Sequence, residues 1–88
     1  MTMSARAVEA ALKRKGFVRE DRDHRFFLYH TIDGRLSAIR TKISHGEKEI
    51  STPLIGMMAR QLRLPKPQFE KYVECTIDQQ QYESIVFG

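Results

Sequence analysis

Three histidines, His24, His30 and His45, are the side chains of this sequence with an unperturbed pKa near neutrality, so proton transfer near pH 7 would most naturally use one of them. His24 stands close to Arg22 and Arg25 in a polar stretch. That setting suits phosphodiester chemistry, in which guanidinium groups hold a phosphate while an imidazole moves a proton. The same residues also fit an ordinary solvated hairpin. His30 falls in an aromatic run and reads as a strand residue hydrogen-bonded at a sheet edge. The segment Lys42-Ile43-Ser44-His45-Gly46-Glu47-Lys48-Glu49-Ile50 reads first as a connecting loop. It also sets Lys42, His45 and Lys48 near the expected start of a helix, where a phosphate can bind and a nucleic-acid backbone can be tracked.

Other chemistries find less support. Glu20, Asp21 and Asp23 could be offered to Mg²⁺, because hard cations take carboxylate oxygens. Turns are rich in Asp for backbone reasons, however, and Arg19, Arg22 and Arg25 compete for the same oxygens. The histidines and Cys75 lack zinc-ligand spacing, and no phosphate-cradling glycine loop, GxSxG or HExxH is present. Neither a metal nor a cofactor is expected.

The elements that must position these residues are legible in outline. Ser4 opens a stretch with Val8 and Leu12 at helical spacing, which ends in Lys13-Arg14-Lys15 and Gly16. The spacing predicts a capped helix with cations at its negative end and a left-handed stop. Phe17-Val18, the polar knot Glu20 to His24, Phe26 to Tyr29, the Asp33-Gly34 turn and Leu36 to Ile43 predict an antiparallel three-stranded meander. Pro53 opens a second helix, in which Leu54, Met57, Met58, Gln61 and Leu62 are expected to form the core stripe, with Arg60 and Arg63 outside. After Pro65 and Pro67, Phe69, Tyr72 and Val73 predict a third short helix. Tyr82, Ile85 and Val86 behind Asp78 predict a last helical turn or two. The expected class is α+β, in the order α-β-β-β-α with a helical extension.

Eighty-eight residues make one domain, 1–88, and exclude a large multi-domain enzyme. The net charge of +4 is unevenly placed. Residues 1–50 carry eleven basic and seven acidic side chains, whereas residues 51–88 carry four of each. A basic first half favours a polyanionic partner there. A single cysteine, Cys75, cannot form an intramolecular disulfide and is expected to act as a small buried apolar residue in a reducing compartment. The N-terminal residues lack a signal-like apolar run, and no stretch approaches the ~20 apolar residues of a membrane span. A cytoplasmic protein without membrane contact is therefore expected.

In their order, these pieces resemble HicA-type toxins. Thr41 to Ile50, followed by Leu54-Ile55 and Met58-Ala59-Arg60-Gln61-Leu62, is similar to that family's His-Gly, charged, Glu-Ile, Leu and Ile-Leu-Lys-Gln pattern. Lys15-Gly16-Phe17 resembles the family's entry into its first strand. Asp21-Arg22-Asp23-His24 falls where the family carries Gly-Ser-X-His, so Asp21-Arg22 replaces Gly-Ser. The resemblance covers residues 4–64 and leaves 65–88 as an extension. It implies a double-stranded RNA-binding-domain-like fold, with the three-stranded sheet covered by helices on one face. It also implies an endoribonuclease acting on mRNA, His24 as the catalytic histidine, a contacting role for the loop at His45, and a HicB-type antitoxin protein as partner. Arg22, Arg25, Lys42, His45 and Lys48 are the residues expected to touch RNA. The alternatives are a non-catalytic RNA-binding module and a protein-interaction domain on the same scaffold.

Overall fold

A computed structural model of the chain describes residues 3–74 and 77–88. Helix α1 (Ala5–Arg14) follows a two-residue strand, β1 (Met3–Ser4). The Ser4 hydroxyl accepts from the Ala7 amide, satisfying one of the free N–H groups at the helix start. Gly16 then turns the chain at φ 99°, a conformation that a side chain would resist. An added Cβ there would also lie 2.7 Å from the His30 carbonyl oxygen and 2.9 Å from the Tyr29 ring. A glycine is therefore required where α1 hands the chain to the sheet.

Strands β2 (Phe17–Asp21), β3 (Arg25–His30) and β4 (Leu36–Ile43) form the expected antiparallel meander, in the order β2-β3-β4. Its register settles which face is covered, a question the apolar run in β3 leaves open in the sequence. Phe17, Phe27, Tyr29, Ile39, Thr41 and Ile43 are buried on one face. Val18, Leu28 and Arg40, aligned across the three strands, and likewise Glu20, Phe26 and Lys42, lie on the other. The α1 and α2 helices lie against the covered face.

Between β4 and α2 (Thr52–Gln61) the sequence reads as loop, but Glu49–Ile50 forms β5 and pairs antiparallel with β1. The helix α2 is also rotated from its expected face. Ile55, Met58, Ala59 and Leu62 are buried, while Met57 is exposed and Gln61 is held at the boundary by Thr41, whose Oγ1 donates to Gln61 Oε1 at 2.6 Å.

The extension is part of the core. Helices α3 (Lys66–Val73) and α4 (Gln79–Phe87) bring in Phe69, Tyr72 and Tyr82, all fully buried. Asp78 caps α4 by a reciprocal capping box with Gln81. The Tyr82 hydroxyl donates to the Leu62 carbonyl at 2.8 Å, and the Tyr29 hydroxyl to Glu83 Oε2 at 2.5 Å. Lys15, expected as a helix-end cation, is instead buried and its ammonium donates to the Tyr72 carbonyl. Cys75 lies outside the described residues.

All three tyrosines of the sequence, Tyr29, Tyr72 and Tyr82, are buried, and burial pushes each phenol well above its ordinary value of 10.0. A folded pKa above the unfolded one gives stability that is complete below the unfolded value and is lost as pH rises through the folded one. Tyrosinate absorbance in an alkaline titration should therefore lag free tyrosine above pH 10, then rise in one cooperative step that coincides with loss of helical circular dichroism. Three independent, tyrosine-like titrations with the fold intact would contradict this packing.

Candidate functional site

The β2–β3 connection is a tight turn, Arg22-Asp23-His24, closed by the Arg22 amide donating to the His24 carbonyl at 3.0 Å. Each nearby carboxylate has a basic side chain beside it. Glu20 receives Arg22 at 2.9 Å, Asp21 receives Arg19 at 2.6 Å, and Asp23 Oδ2 lies 3.3 Å from His24 Nδ1. The Arg19 guanidinium holds the Asp21 carboxyl below the usual carboxylate range, and the imidazole beside it does the same for Asp23. These oxygens are thus already engaged, which weakens the case for them as magnesium ligands.

One third of the His24 side chain is exposed, and its ring stands edge-on to Phe26 with centroids 6.3 Å apart. Nδ1 is shielded from solvent, and its approach to Asp23 is close without the alignment of a hydrogen bond. A proton exchanged with a substrate must therefore pass through Nε2. A carboxylate beside Nδ1 favours the tautomer that keeps the proton there and leaves Nε2 as a base.

His45 is brought to the same turn. Its Nε2 lies 3.0 Å from the Arg22 carbonyl oxygen. A carbonyl only accepts, so Nε2 carries the hydrogen and Nδ1 of the neutral ring is the acceptor. Two imidazoles from distant parts of the sequence thus border one turn.

Arg25 is placed differently from the expectation that it holds phosphate. Its side chain is 14% exposed, and its guanidinium donates to Glu9 Oε2 at 2.9 Å and to the Ser44 and Glu47 carbonyls at 2.9 and 3.1 Å. Glu9 also receives Arg19 at 2.5 Å. Arg25 therefore ties α1, the start of β3 and the β4–β5 loop together, and so fixes where His24 and His45 sit. The sequence shows Arg25 beside His24 but not that it turns inward.

The two remaining candidate cations, Lys48 and Lys42, lie in different grooves. Lys48 joins Arg6 and Lys13 along α1, in a groove of about 480 Å³ that Glu9, Arg25 and Glu47 also line. Lys42 lies with Arg22, Arg40 and Phe26 in a second groove of about 400 Å³, on the uncovered face and outer edge of the sheet. Arg22, Lys42, His24 and His45 are thus gathered around the turn, whereas Lys48 is not. Phe26 and Arg40 are additions to the expected set. The signal for them is the alternation in β4, where Ile39, Thr41 and Ile43 point in, so that Arg40 and Lys42 must point out. No helix among the described residues is long and apolar enough to cross a membrane.

Fold and site together define, among the described residues, a small α+β domain with a three-stranded antiparallel sheet, four helices and a histidine-bearing turn on the sheet. Comparison with family models, curated proteins and solved structures finds no match to this chain.

Proposed function

We propose that the protein is a HicA-like toxin of a toxin–antitoxin system, a metal-independent endoribonuclease acting on mRNA, on a double-stranded RNA-binding-domain-like scaffold. A HicB-type antitoxin protein would neutralise it. The observation that carries this reading is the turn itself. His24 is accessible, has a carboxylate beside Nδ1, and shares its turn with a second imidazole. The resemblance of residues 4–64 to HicA-type toxins adds the substrate and the partner, and two helices against one face of a three-stranded sheet suit that scaffold.

In the mechanism, His24 Nε2 takes the proton of a ribose 2′-hydroxyl, and the resulting oxygen attacks the adjacent phosphorus. The bond to the 5′-oxygen breaks, and that oxygen leaves with a proton supplied from Nδ1 of a protonated His45 or by water. Arg22 and Lys42 hold the phosphate, where charge builds in the transition state. The products are a 2′,3′-cyclic phosphate and a 5′-hydroxyl end. Purified protein should cleave end-labelled mRNA in the presence of EDTA, and a single 2′-deoxynucleotide at a mapped cleavage site should abolish cutting there. Cleavage that needs added Mg²⁺, or that ignores the 2′-deoxy substitution, would overturn the mechanism.

The inward turn of Arg25 favours a second reading, a binding module without chemistry, because it leaves fewer cations to hold a reacting phosphate. That protein would bind RNA in a salt-sensitive way and leave it intact.

A further inference from the structure

The groove on the uncovered sheet face combines an aromatic ring with cations that the fold does not use. Phe26 is half-buried near the start of β3, the central strand, opposite Lys42 in register. Arg40 follows two residues before Lys42, on the same face of the edge strand. The Arg22 guanidinium lies 5.9 Å from the Phe26 ring centroid, within reach of a cation–π contact. Arg22 is paired with Glu20, but the side chains of Arg40 and Lys42 make no ion pair or hydrogen bond among the described residues. At the far side of the groove, Gln61 uses its Oε1 on Thr41, which leaves its amide N–H groups to donate.

We infer that this groove is a binding subsite for one nucleotide of single-stranded RNA, with the base stacked on Phe26 and the phosphates on either side of it held by Arg40 and Lys42. The chemistry selects the occupant. Two unpaired cations two residues apart on a strand match the negative charge of successive phosphates. A ring face bordered by a guanidinium is what an unstacked base needs, because every base offers a π-face to an aromatic side chain and to arginine. A base inside a duplex is already stacked on its neighbours and cannot reach the floor of a strand face. The His24 and Phe26 ring centroids are 6.3 Å apart, so a base stacked on Phe26 puts the next phosphodiester at the turn. This inference rests on the proposed nuclease reading for that last step, and assigns its substrate as unpaired RNA.

The test measures binding separately from cleavage. The protein carrying His24→Ala is titrated into fluorescently labelled single-stranded RNA and into the same sequence as a perfect duplex, at several salt concentrations. The single strand should bind more tightly. Phe26→Ala should weaken single-strand binding by about 5- to 150-fold, the range for removing one base-stacking ring. Phe26→Leu, which keeps apolar volume on the strand, should weaken it similarly with an unchanged thermal melt, separating stacking from folding. Arg40→Ala and Lys42→Ala should each lower the salt dependence by about 0.7 in the slope of log K against log salt. Equal affinity for duplex and single strand, indifference to Phe26→Leu, or no RNA binding at all would overturn the subsite. Wild-type cleavage without Phe26-dependent binding would overturn the subsite and leave the nuclease standing. Phe26-dependent binding by a wild type that does not cleave would support the subsite and remove the nuclease.

Discussion

Replacing Tyr82 by alanine should lower the melting temperature by roughly 12 to 40 °C, enough to leave much of the protein unfolded under growth conditions. The expectation follows from where the ring lies. Tyr82 is fully buried, with ring centroids 5.0 Å from Tyr72, 5.2 Å from Tyr29 and 6.4 Å from Phe17. It thus joins α4 to α3, β3 and β2. Truncating a buried aromatic side chain to alanine costs about 3 to 5 kcal/mol through lost burial and the cavity left behind. A small domain has only about 5 to 15 kcal/mol in total, and each kcal/mol is worth about 4 to 8 °C. The substitution also strands the Leu62 carbonyl, which receives the Tyr82 hydroxyl. Tyr82→Phe removes that hydrogen bond alone, and should cost about 1 kcal/mol. A Tyr82→Ala protein melting within a few degrees of wild type would show that residues 65–88 are an appendage to a core complete at Leu64.

That Tyr82 could matter so much is not visible in its sequence neighbourhood. Tyr82, Ile85 and Val86 have helical spacing, but α4 leaves Ile85 exposed and is fixed by polar contacts to distant residues, Gln79 to the His30 carbonyl and Glu83 to Tyr29. Periodicity shows that a helix has an apolar side and cannot show what lies opposite. The same limit accounts for α2. Leu54, Met57 and Met58 share a stripe in the sequence, yet contact with β4 turns Ile55 inward and leaves Met57 outside. The β1–β5 pair escapes for another reason. Two residues cannot display a two-residue period, and their partner lies more than forty positions away. What is legible is what local chemistry decides: the Ser4 cap, the Gly16 stop, the Asp33-Gly34 turn, and three strands, the first of which runs on to Asp21, inside the expected polar knot Glu20 to His24.

The candidate site divides along the same line. Local turn chemistry marks His24 as accessible, and the structure agrees. The meeting of His45 with that turn depends on the long return from β4, which Arg25 fixes from inside by reaching the Ser44 and Glu47 carbonyls. A side chain that is charged, and close to a candidate catalytic residue in sequence, reads as a ligand for phosphate. Only the position of Glu9 on α1, 16 residues earlier, shows it to be a clamp. The cations that do face solvent beside the site, Arg40 and Lys42, come from the far edge of the sheet.

Replacing His24 by alanine should lower the rate of RNA cleavage by about 10² to 10⁴, the usual worth of one positioned proton carrier, while leaving the fold in place. The two effects separate because His24 makes few structural contacts. It stands edge-on to Phe26 and beside an exposed Asp23, and the backbone bond that closes its turn, from the Arg22 amide to the His24 carbonyl, does not involve the side chain. Thermal melts of the two proteins should agree within a few degrees, and single-stranded RNA should bind to both with similar affinity, since Arg22, Phe26, Arg40 and Lys42 are untouched. In bacteria, expression of the wild type should stop growth and shorten mRNA, whereas His24→Ala should be tolerated at the same protein level. Asp23→Asn should fall between them, because the amide keeps the size of the side chain beside Nδ1 but not the charge that stabilises the imidazolium formed when Nε2 takes a proton. Equal cleavage by wild type and His24→Ala would mean that the turn does not carry the chemistry. A rate lost together with RNA affinity would mean that His24 binds the strand and does not move its proton.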